Sequence, residues 1–213
     1  MKNFKLLMAL VLTTVTLAPT AQAEVAANVA LTTDYVWRGV SQNNEDPALQ
    51  GGFDANLGSG FYVGIWGSNV DFGGPESTEL DLYGGWTTDL GSGFGFDIGY
   101  LAYTYHGGDG ADASDFDEVY VGLTYSGFGV TYYSAVDDTD DNIEISYGYD
   151  FEGFSVGATY GDYDSYAYYT VGVSTEVIGI GVDLSFWDTD SDGEDLNGEF
   201  AEERVVLSIS KAF

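Results

Sequence analysis

The sequence contains no cysteine and very few basic residues, and both absences limit what the chain can be. Without cysteine, no disulfide framework can hold the fold together. Lysine and arginine together number five, against 35 aspartate and glutamate residues, which gives a formal net charge of −30. We expect no nucleic-acid partner, because phosphate binding needs a basic patch.

The first 23 residues have the pattern of a secretory signal peptide. Lys2 and Lys5 flank the start of a mostly apolar run, and Ala21-Gln22-Ala23 fits the small-residue cleavage site. We therefore expect residues 1–23 to be removed, leaving a mature domain over residues 24–213. Beyond the signal, the sequence lacks any run of eighteen apolar residues, so no transmembrane helix is expected.

The mature chain is rich in alternating apolar and polar residues, as in VYVGLTY and YAYYTVGVSTEV. This period of two predicts β-strands. Aromatic residues make up 16% of the chain, which argues against disorder despite the charge. Glycine-containing tight turns such as LGSGF alternate with longer acidic connections, and we count twelve strands, five short turns and six long loops. The six predicted loops are SQNNED, FGGPEST, HGGDGADASDFD, DDTDD, GDYDS and DTDSDGEDLNGE.

An even number of strands, with short turns at one end and long loops at the other, is the plan of an outer-membrane barrel. We predict an all-β fold, an antiparallel up-and-down transmembrane β-barrel of about twelve strands in the bacterial outer membrane, surrounded by lipid. The last strand ends in Phe213, as in many outer-membrane proteins, and Lys211 is expected to reach the periplasmic interface. The alternative is a soluble, lipocalin-like barrel with its apolar face inward.

The polar face of such a barrel would line its lumen. Arg38 and Arg204 are expected as neighbours on one wall, because the first and last strands pair, with acidic residues on the other walls. The charges would either set up a transverse field across a pore or brace a plugged one. The predicted pore-lining residues are Arg38, Arg204, Asp34, Asp54, Glu79, Asp81, Asp97, Glu118, Glu144 and Asp183, together with Glu176.

Glycines recur on the same inward face, and the room they leave has two interpretations. The room is either a water path or space filled by Trp66, Tyr83, Tyr103, Tyr120, Tyr133 and Trp187. Aromatic residues of the outer face are predicted to form interfacial girdles. The predicted girdle residues are Trp37, Trp86, Phe96, Tyr132 and Tyr160.

Residues 188–199, DTDSDGEDLNGE, have the spacing of an EF-hand calcium loop. The candidate ligands are Asp188, Asp190, Asp192 and Glu199, but the flanking sequences look like strands, so a helix-supported EF-hand is not expected. Two interpretations stay open. The loop binds Ca²⁺ through these carboxylates, or the acidic loops together attract Ca²⁺ or Mg²⁺ weakly. No other cofactor is expected.

The segment LTTDYVWRGVSQ, followed by PALQGGFDANLGSGFYVGIWGSNVDF, resembles the proteobacterial TorF-type porin family. The resemblance is most specific at Asp34-Tyr35, Arg38-Gly39 and Ser41-Gln42, and it implies an outer-membrane barrel that passes solutes. We therefore expect a channel for passive diffusion of small solutes, with a preference for cations.

Two other classes of function are alternatives to a channel. One is a closed structural or surface-interaction barrel that acts through its acidic loops. The other is a hydrolase, which would need a nucleophile with a base in reach. His106 is the only histidine, and no G-x-S-x-G motif accompanies it. We therefore do not expect an enzyme.

Overall fold

The computed structural model describes residues 24–136 and 139–213 and places most of them in one closed antiparallel barrel. Residues 1–23, which carry the predicted signal peptide, lie outside the described residues. Twelve strands close the barrel, which confirms the predicted strand number and up-and-down plan. In chain order, and including two short strands β2 and β3 outside the barrel sheet, the strands are β1 (Glu24–Thr32), β2 (Val36–Trp37), β3 (Val40–Ser41), β4 (Ala48–Gly58), β5 (Phe61–Asn69), β6 (Glu76–Gly91), β7 (Phe94–Gly107), β8 (Phe116–Tyr125), β9 (Phe128–Ala135), β10 (Asn142–Asp150), β11 (Ser155–Tyr163), β12 (Tyr166–Val177), β13 (Ile180–Thr189) and β14 (Arg204–Ala212).

Alternation within each strand decides which side chains face outward. In β8, Val119, Val121 and Leu123 are exposed, whereas the alternate residues Glu118 and Tyr120 are buried. A continuous apolar exterior around a closed barrel is stable in lipid and would be an aggregation hazard in water. The protein is therefore a transmembrane β-barrel of the outer-membrane type. The lipocalin-like alternative does not describe it, because that alternative needs the apolar face inward.

The barrel is closed between its first and last strands. β1 and β14 pair in antiparallel register from Asn28 with Ala212 to Thr32 with Ser208. Closure leaves no unpaired edge at this seam, as a sheet that crosses lipid requires. Near the C-terminal end of β14, Lys211 Nζ donates a hydrogen bond of 2.5 Å to the carbonyl oxygen of Gly179.

One end of the barrel carries tight turns, and we call it the short-turn end. In the turns Ser126-Gly127 and Ile178-Gly179 both residues have positive φ, between 50° and 88°. This is the type I′ geometry that matches the twist of paired strands. In barrels of this plan the short-turn end faces the periplasm.

The opposite end, here called the long-loop end, has five longer connections: residues 33–47, 70–75, 108–115, 136–141 and 190–203. The prediction of a sixth long loop, at GDYDS, is wrong. β11 and β12 continue to pair as far as Tyr163 and Tyr166, so only Asp164 and Ser165 connect them. The connection 190–203 contains the short helix α1 (Ser191–Asn197) and a 3₁₀ turn at Gly198–Ala201, and a further 3₁₀ turn lies at Ala111–Ser114. Among the described helices, none has the length and apolar character needed to cross a membrane.

Candidate functional site

The connection between β1 and β4, residues 33–47, folds into the barrel instead of projecting from it, and we call it the inserted segment. Its strands β2 and β3 form a minimal hairpin, with Val36 paired to Ser41 and Trp37 to Val40. The turn residues Arg38 and Gly39 have φ of 49° and 84°. A Cβ on Gly39 would lie 2.6 Å from Thr189 Cγ2, on β13. The tip of the hairpin therefore packs directly against the inner wall, and only glycine fits there.

Arg38 forms the main ionic contact between the inserted segment and the wall. Its Nη1 and Nη2 donate to the two carboxylate oxygens of Glu118 on β8, at 2.7 and 2.9 Å. Tyr103 O–H donates to the same carboxylate at 3.1 Å. Arg38 is 5% exposed and Glu118 0%. Burial alone disfavours the guanidinium cation, yet the nearby Tyr103 and Glu118 outweigh that cost, and the pKa of Arg38 lies above its ordinary value.

This geometry corrects the predicted position of Arg38. It does not lie on the first strand beside Arg204, because β1 ends at Thr32. It lies on the hairpin tip and reaches β8, which is five strands from β1 around one side of the barrel and seven around the other. The hairpin therefore spans the lumen, and the predicted field across an open pore is replaced there by a local ion pair.

Aromatic rings surround the Arg38 guanidinium. Its Cζ lies 4.2 Å from the ring centre of Trp37, 4.7 Å from that of Tyr163 and 5.1 Å from that of Tyr133. Trp37 also makes an edge contact with Tyr103 at 5.9 Å between ring centres. Trp37 was predicted to be a lipid-facing girdle residue, and that prediction is wrong, because the chain leaves the wall before it. Desolvated cation–π contacts of this kind add to the ion pair.

Arg204 fastens the other side of the inserted segment. Its Nη1 donates to Asp34 Oδ2 at 2.9 Å and lies 3.5 Å from Glu45 Oε1. Asp34 also accepts a hydrogen bond from Ser41 Oγ at 2.7 Å. Burial raises the pKa of Asp34, and the hydrogen bonds from Ser41 and Arg204 oppose that rise. The two arginines thus hold the segment at separate points.

Glu79 and Asp81 form a second charged feature on the inner face of β6. Each is 1% exposed. Tyr35 O–H, from the inserted segment, donates to Glu79 Oε1 at 3.2 Å. In the described part of the chain, the buried side-chain atoms without a hydrogen-bond partner are Glu79 Oε2 and Asp81 Oδ1, and neither carboxyl group has a basic partner. Two neighbouring buried acids without a counter-ion are costly.

Four of the other predicted acids, Asp54, Asp97, Glu144 and Asp183, are partly buried, whereas Glu176, near the short-turn end of β12, is exposed. Asp54 accepts from Tyr83 O–H at 2.5 Å, and Asp97 accepts from Tyr62 O–H at 2.7 Å. On other walls of the barrel, Glu144 accepts a hydrogen bond from Tyr168 O–H at 2.6 Å, while Asp183 and Glu176 lie on β13 and β12. Apart from the exposed Glu176, the predicted residues are buried or partly buried, on the wall or on the inserted segment. Their part in conduction stays a prediction.

Tyrosine rings fill much of the space that the inward glycines leave. A Cβ on Gly64 would lie 2.2 Å from the ring of Tyr83, and one on Gly99 would lie 2.4 Å from Tyr120 Oη. Of the two interpretations of these glycines, the structure therefore favours filled space at these positions. The sequence shows that glycines and large aromatic residues both occur on the inward face. It does not show which aromatic ring covers which glycine.

The proposed calcium ligands do not converge. Asp190 caps α1, because its Oδ1 accepts from the backbone N–H of Gly193 at 3.0 Å. Asp188 Oδ2 instead accepts from Tyr169 O–H at 2.6 Å. Within residues 24–136 and 139–213, no group of three or more acidic, histidine or cysteine side chains is arranged to hold a metal ion. The set Asp188, Asp190, Asp192 and Glu199 therefore receives no support from the geometry.

Comparison with known proteins places the chain in a family. Residues 17–213 match the model described as "Bacterial protein of unknown function (Gcw_chp)", so the chain belongs to that bacterial family. The family description carries no function, and the TorF-type name suggested by the sequence stays a resemblance. None of the curated proteins compared with the chain matches it.

Solved structures share the fold at low sequence identity. A structure described as "KdgM porin" is 8% identical and superposes with a TM-score of 0.64, covering 88% of this chain and 99% of its own. "KdgM porin in complex with disordered oligogalacturonate" gives 0.62 at 8% identity, over 90% and 99% of the two chains. A third, described as "Unveiling the Mechanism Behind the in-meso Crystallization of Membrane Proteins", gives 0.56 at 11% identity, over 89% and 83%. These likenesses concern the barrel itself.

Proposed function

We propose that this member of the Gcw_chp family is an outer-membrane channel through which small solutes diffuse passively, with a preference for cations. The observation that carries the proposal is the closed barrel whose partly buried inner wall bears Asp54, Asp97, Glu144 and Asp183. A ring of carboxylates along a pore attracts cations and repels anions. The shared fold with the KdgM porin supports a porin-like barrel.

The charge of the interior argues against an anionic solute. Oligogalacturonate, with which one of the KdgM porin structures is in complex, is an acidic oligosaccharide. In the described interior of this barrel, Arg38 and Arg204 are both paired with carboxylates. They are therefore not free to bind a polyanion, and the remaining acids would repel one. Cationic and neutral solutes fit this interior better.

A second candidate function is favoured by the inserted segment. The segment crosses the lumen near the long-loop end and is held by a fully buried ion pair. A barrel closed in this way would act through its acidic outer surface and not through conduction. The two candidates differ in whether the segment leaves a path beside it or moves aside.

Single-channel recording of refolded protein in a planar bilayer separates the two. We expect discrete conductance steps and, in a KCl gradient, a reversal potential of cation-selective sign. The triple variant Asp54→Asn, Asp97→Asn, Asp183→Asn should lose most of that selectivity, whereas a control that neutralises Asp192, Glu194 and Asp195 in the exposed helix α1 should retain it. A folded barrel without conductance, both in the wild type and after Arg38→Ala, would refute the channel and leave the closed barrel.

A further inference from the structure

A cavity of about 330 Å³ opens at the long-loop end, above the inserted segment. Three parts of the chain line it: Trp37 and Gln42 from the inserted segment, Tyr163 and Tyr166 at the β11–β12 turn, and Leu196 and Asn197 from α1. Its volume is at the lower end of the usual range for ligand pockets, about 300–1,000 Å³. The tight Asp164-Ser165 turn brings the two tyrosines to the rim, and the capped helix brings Leu196 and Asn197 over them.

The aromatic lining is shaped for flat, apolar groups. The rings of Trp37 and Tyr163 are 5.6 Å apart at 78°, and those of Tyr163 and Tyr166 are 5.5 Å apart at 82°. Rings that meet nearly at right angles form the walls of a corner. Leu196 adds an apolar side chain that is otherwise largely exposed. Such a corner accommodates the C–H face of a ligand.

The polar lining consists of neutral amides. Gln42 Nε2 donates to the carbonyl oxygen of Val40 at 3.0 Å, and Asn197 Nδ2 donates to that of Gly193 at 3.1 Å. Each amide is oriented by its own hydrogen bond, and its oxygen can still accept one from a ligand hydroxyl. A few oriented polar groups in an apolar pocket are what gives a ligand site its specificity.

Charge further restricts the ligand. The lining residues carry no formal charge. Arg38 already lies over one π-face of Trp37 and of Tyr163, at 4.2 and 4.7 Å, so a cation on the other face of these rings would be repelled by the guanidinium. An anion would have to approach through the acidic connections at this end, including Asp164 and Asp195, each of which is adjacent in sequence to a lining residue. A neutral ligand avoids both penalties.

We infer that this cavity binds a neutral saccharide, with a sugar C–H face packed into the corner of Trp37, Tyr163 and Tyr166 and its hydroxyl groups bonded to Gln42 and Asn197. Saccharides combine apolar C–H faces with many hydroxyl groups, which is the chemistry of this lining. That the bound sugar then enters the barrel rests on the proposed channel function, but binding itself does not. The cavity lies at the outer mouth, where a solute would arrive first.

Titration of the refolded protein with three trimers of matched size tests the inference: neutral cellotriose, anionic trigalacturonate and cationic glucosamine trimer. Binding is followed by titration calorimetry and by tryptophan fluorescence, to which Trp37 contributes together with the three other tryptophans of the chain. We expect saturable binding of cellotriose and much weaker binding of both charged trimers. Leu196→Ala and Asn197→Ala should each weaken cellotriose binding by about fivefold or more, as loss of one contact usually does.

Asp192→Ala is the matched control, because Asp192 is exposed on the same helix but does not line the cavity. It should leave cellotriose binding unchanged. Absence of cellotriose binding, preference for either charged trimer, or equal loss in Asp192→Ala would overturn the inference. Conductance recorded on the same preparation keeps the two proposals apart. Binding without conductance, in the wild type and also after Arg38→Ala, supports the site and refutes the channel, whereas conductance without binding overturns the site alone.

Discussion

Replacing Arg38 with alanine tests how firmly the inserted segment is held. The change leaves Glu118 buried at 0% exposure with its charge uncompensated and removes three cation–π contacts. Breaking a buried ion pair by removing one partner costs about 3–5 kcal/mol. The loss can be no larger than the free energy that holds the segment in the lumen, because the segment can leave and let water reach Glu118.

After the Arg38→Ala change the inserted segment either stays in the lumen or leaves it, and the two responses can be told apart by measurement. If the segment stays, urea unfolding in detergent shows a loss of about 3–5 kcal/mol with unchanged conductance. If it leaves, the loss is smaller, conductance rises, and the segment becomes accessible to protease. We expect the second response, because the hairpin β2–β3 is not paired with any strand of the barrel, and the backbone hydrogen bonds of the segment to other parts of the chain lie near its ends, at Thr33 and Gln42.

A double-mutant cycle isolates the pair itself. Arg38→Met combined with Glu118→Leu removes both charges and keeps side-chain volume in place, so it should recover most of the stability lost in either single variant. Arg38→Lys keeps the charge without the two-pronged geometry and should lie between wild type and Arg38→Ala. A loss below about 1 kcal/mol together with unchanged conductance and protease resistance in Arg38→Ala would refute the reasoning.

Three further predictions concern local features. Asp81→Asn should raise stability in urea by about 1–2 kcal/mol, since it removes one of two buried carboxyl groups that lack a counter-ion and lets an amide donate to Glu79. A stability loss would contradict this reasoning. Ile178→Asn should raise stability in urea by about 1 kcal/mol, because a β-branched residue at φ 51° in a type I′ turn is strained. An unchanged unfolding midpoint would count against this prediction. Asp190→Ala should cost about 1 kcal/mol through loss of the α1 cap. In titration calorimetry with Ca²⁺, Asp190→Ala should behave like the wild type. A binding heat that is present in the wild type and lost in Asp190→Ala would support the calcium-binding loop after all.

The alternation of apolar and polar residues determined what could be predicted of the barrel. Strands such as β8, with Val119, Val121 and Leu123 outward, are readable because one face meets lipid and the other does not. Closure between β1 and β14 follows from an even strand count. The GDYDS connection was predicted wrongly because its acidic residues suggested a long loop. In the structure Tyr163 and Tyr166 pair across the two strands, which leaves only a two-residue turn between them.

The inserted segment could not be predicted in the same way. Residues Asp34 to Arg38 continue the alternation of β1, so local pattern alone extends the strand through Trp37. The strand instead ends at Thr32, and the hairpin turn at Arg38-Gly39, with positive φ, lets Arg38 reach Glu118, which lies 80 positions away in the chain. Neither the partner nor the direction in which a loop folds has a local sequence signal, so the arginine was identified but misplaced.

The location of the inserted segment also constrains how the protein is assembled. It connects the first two strands of the barrel, whereas the seam that completes the cylinder joins the first strand to the last. The segment touches the inner faces of strands from β6 to β13, all of which follow it in the chain. The seam therefore closes either around a segment that is already packed inside, or before one that must enter through the open mouth. In the first case the segment serves as an internal template on which the wall is laid down, and the order of folding is set by the residues that the finished barrel encloses.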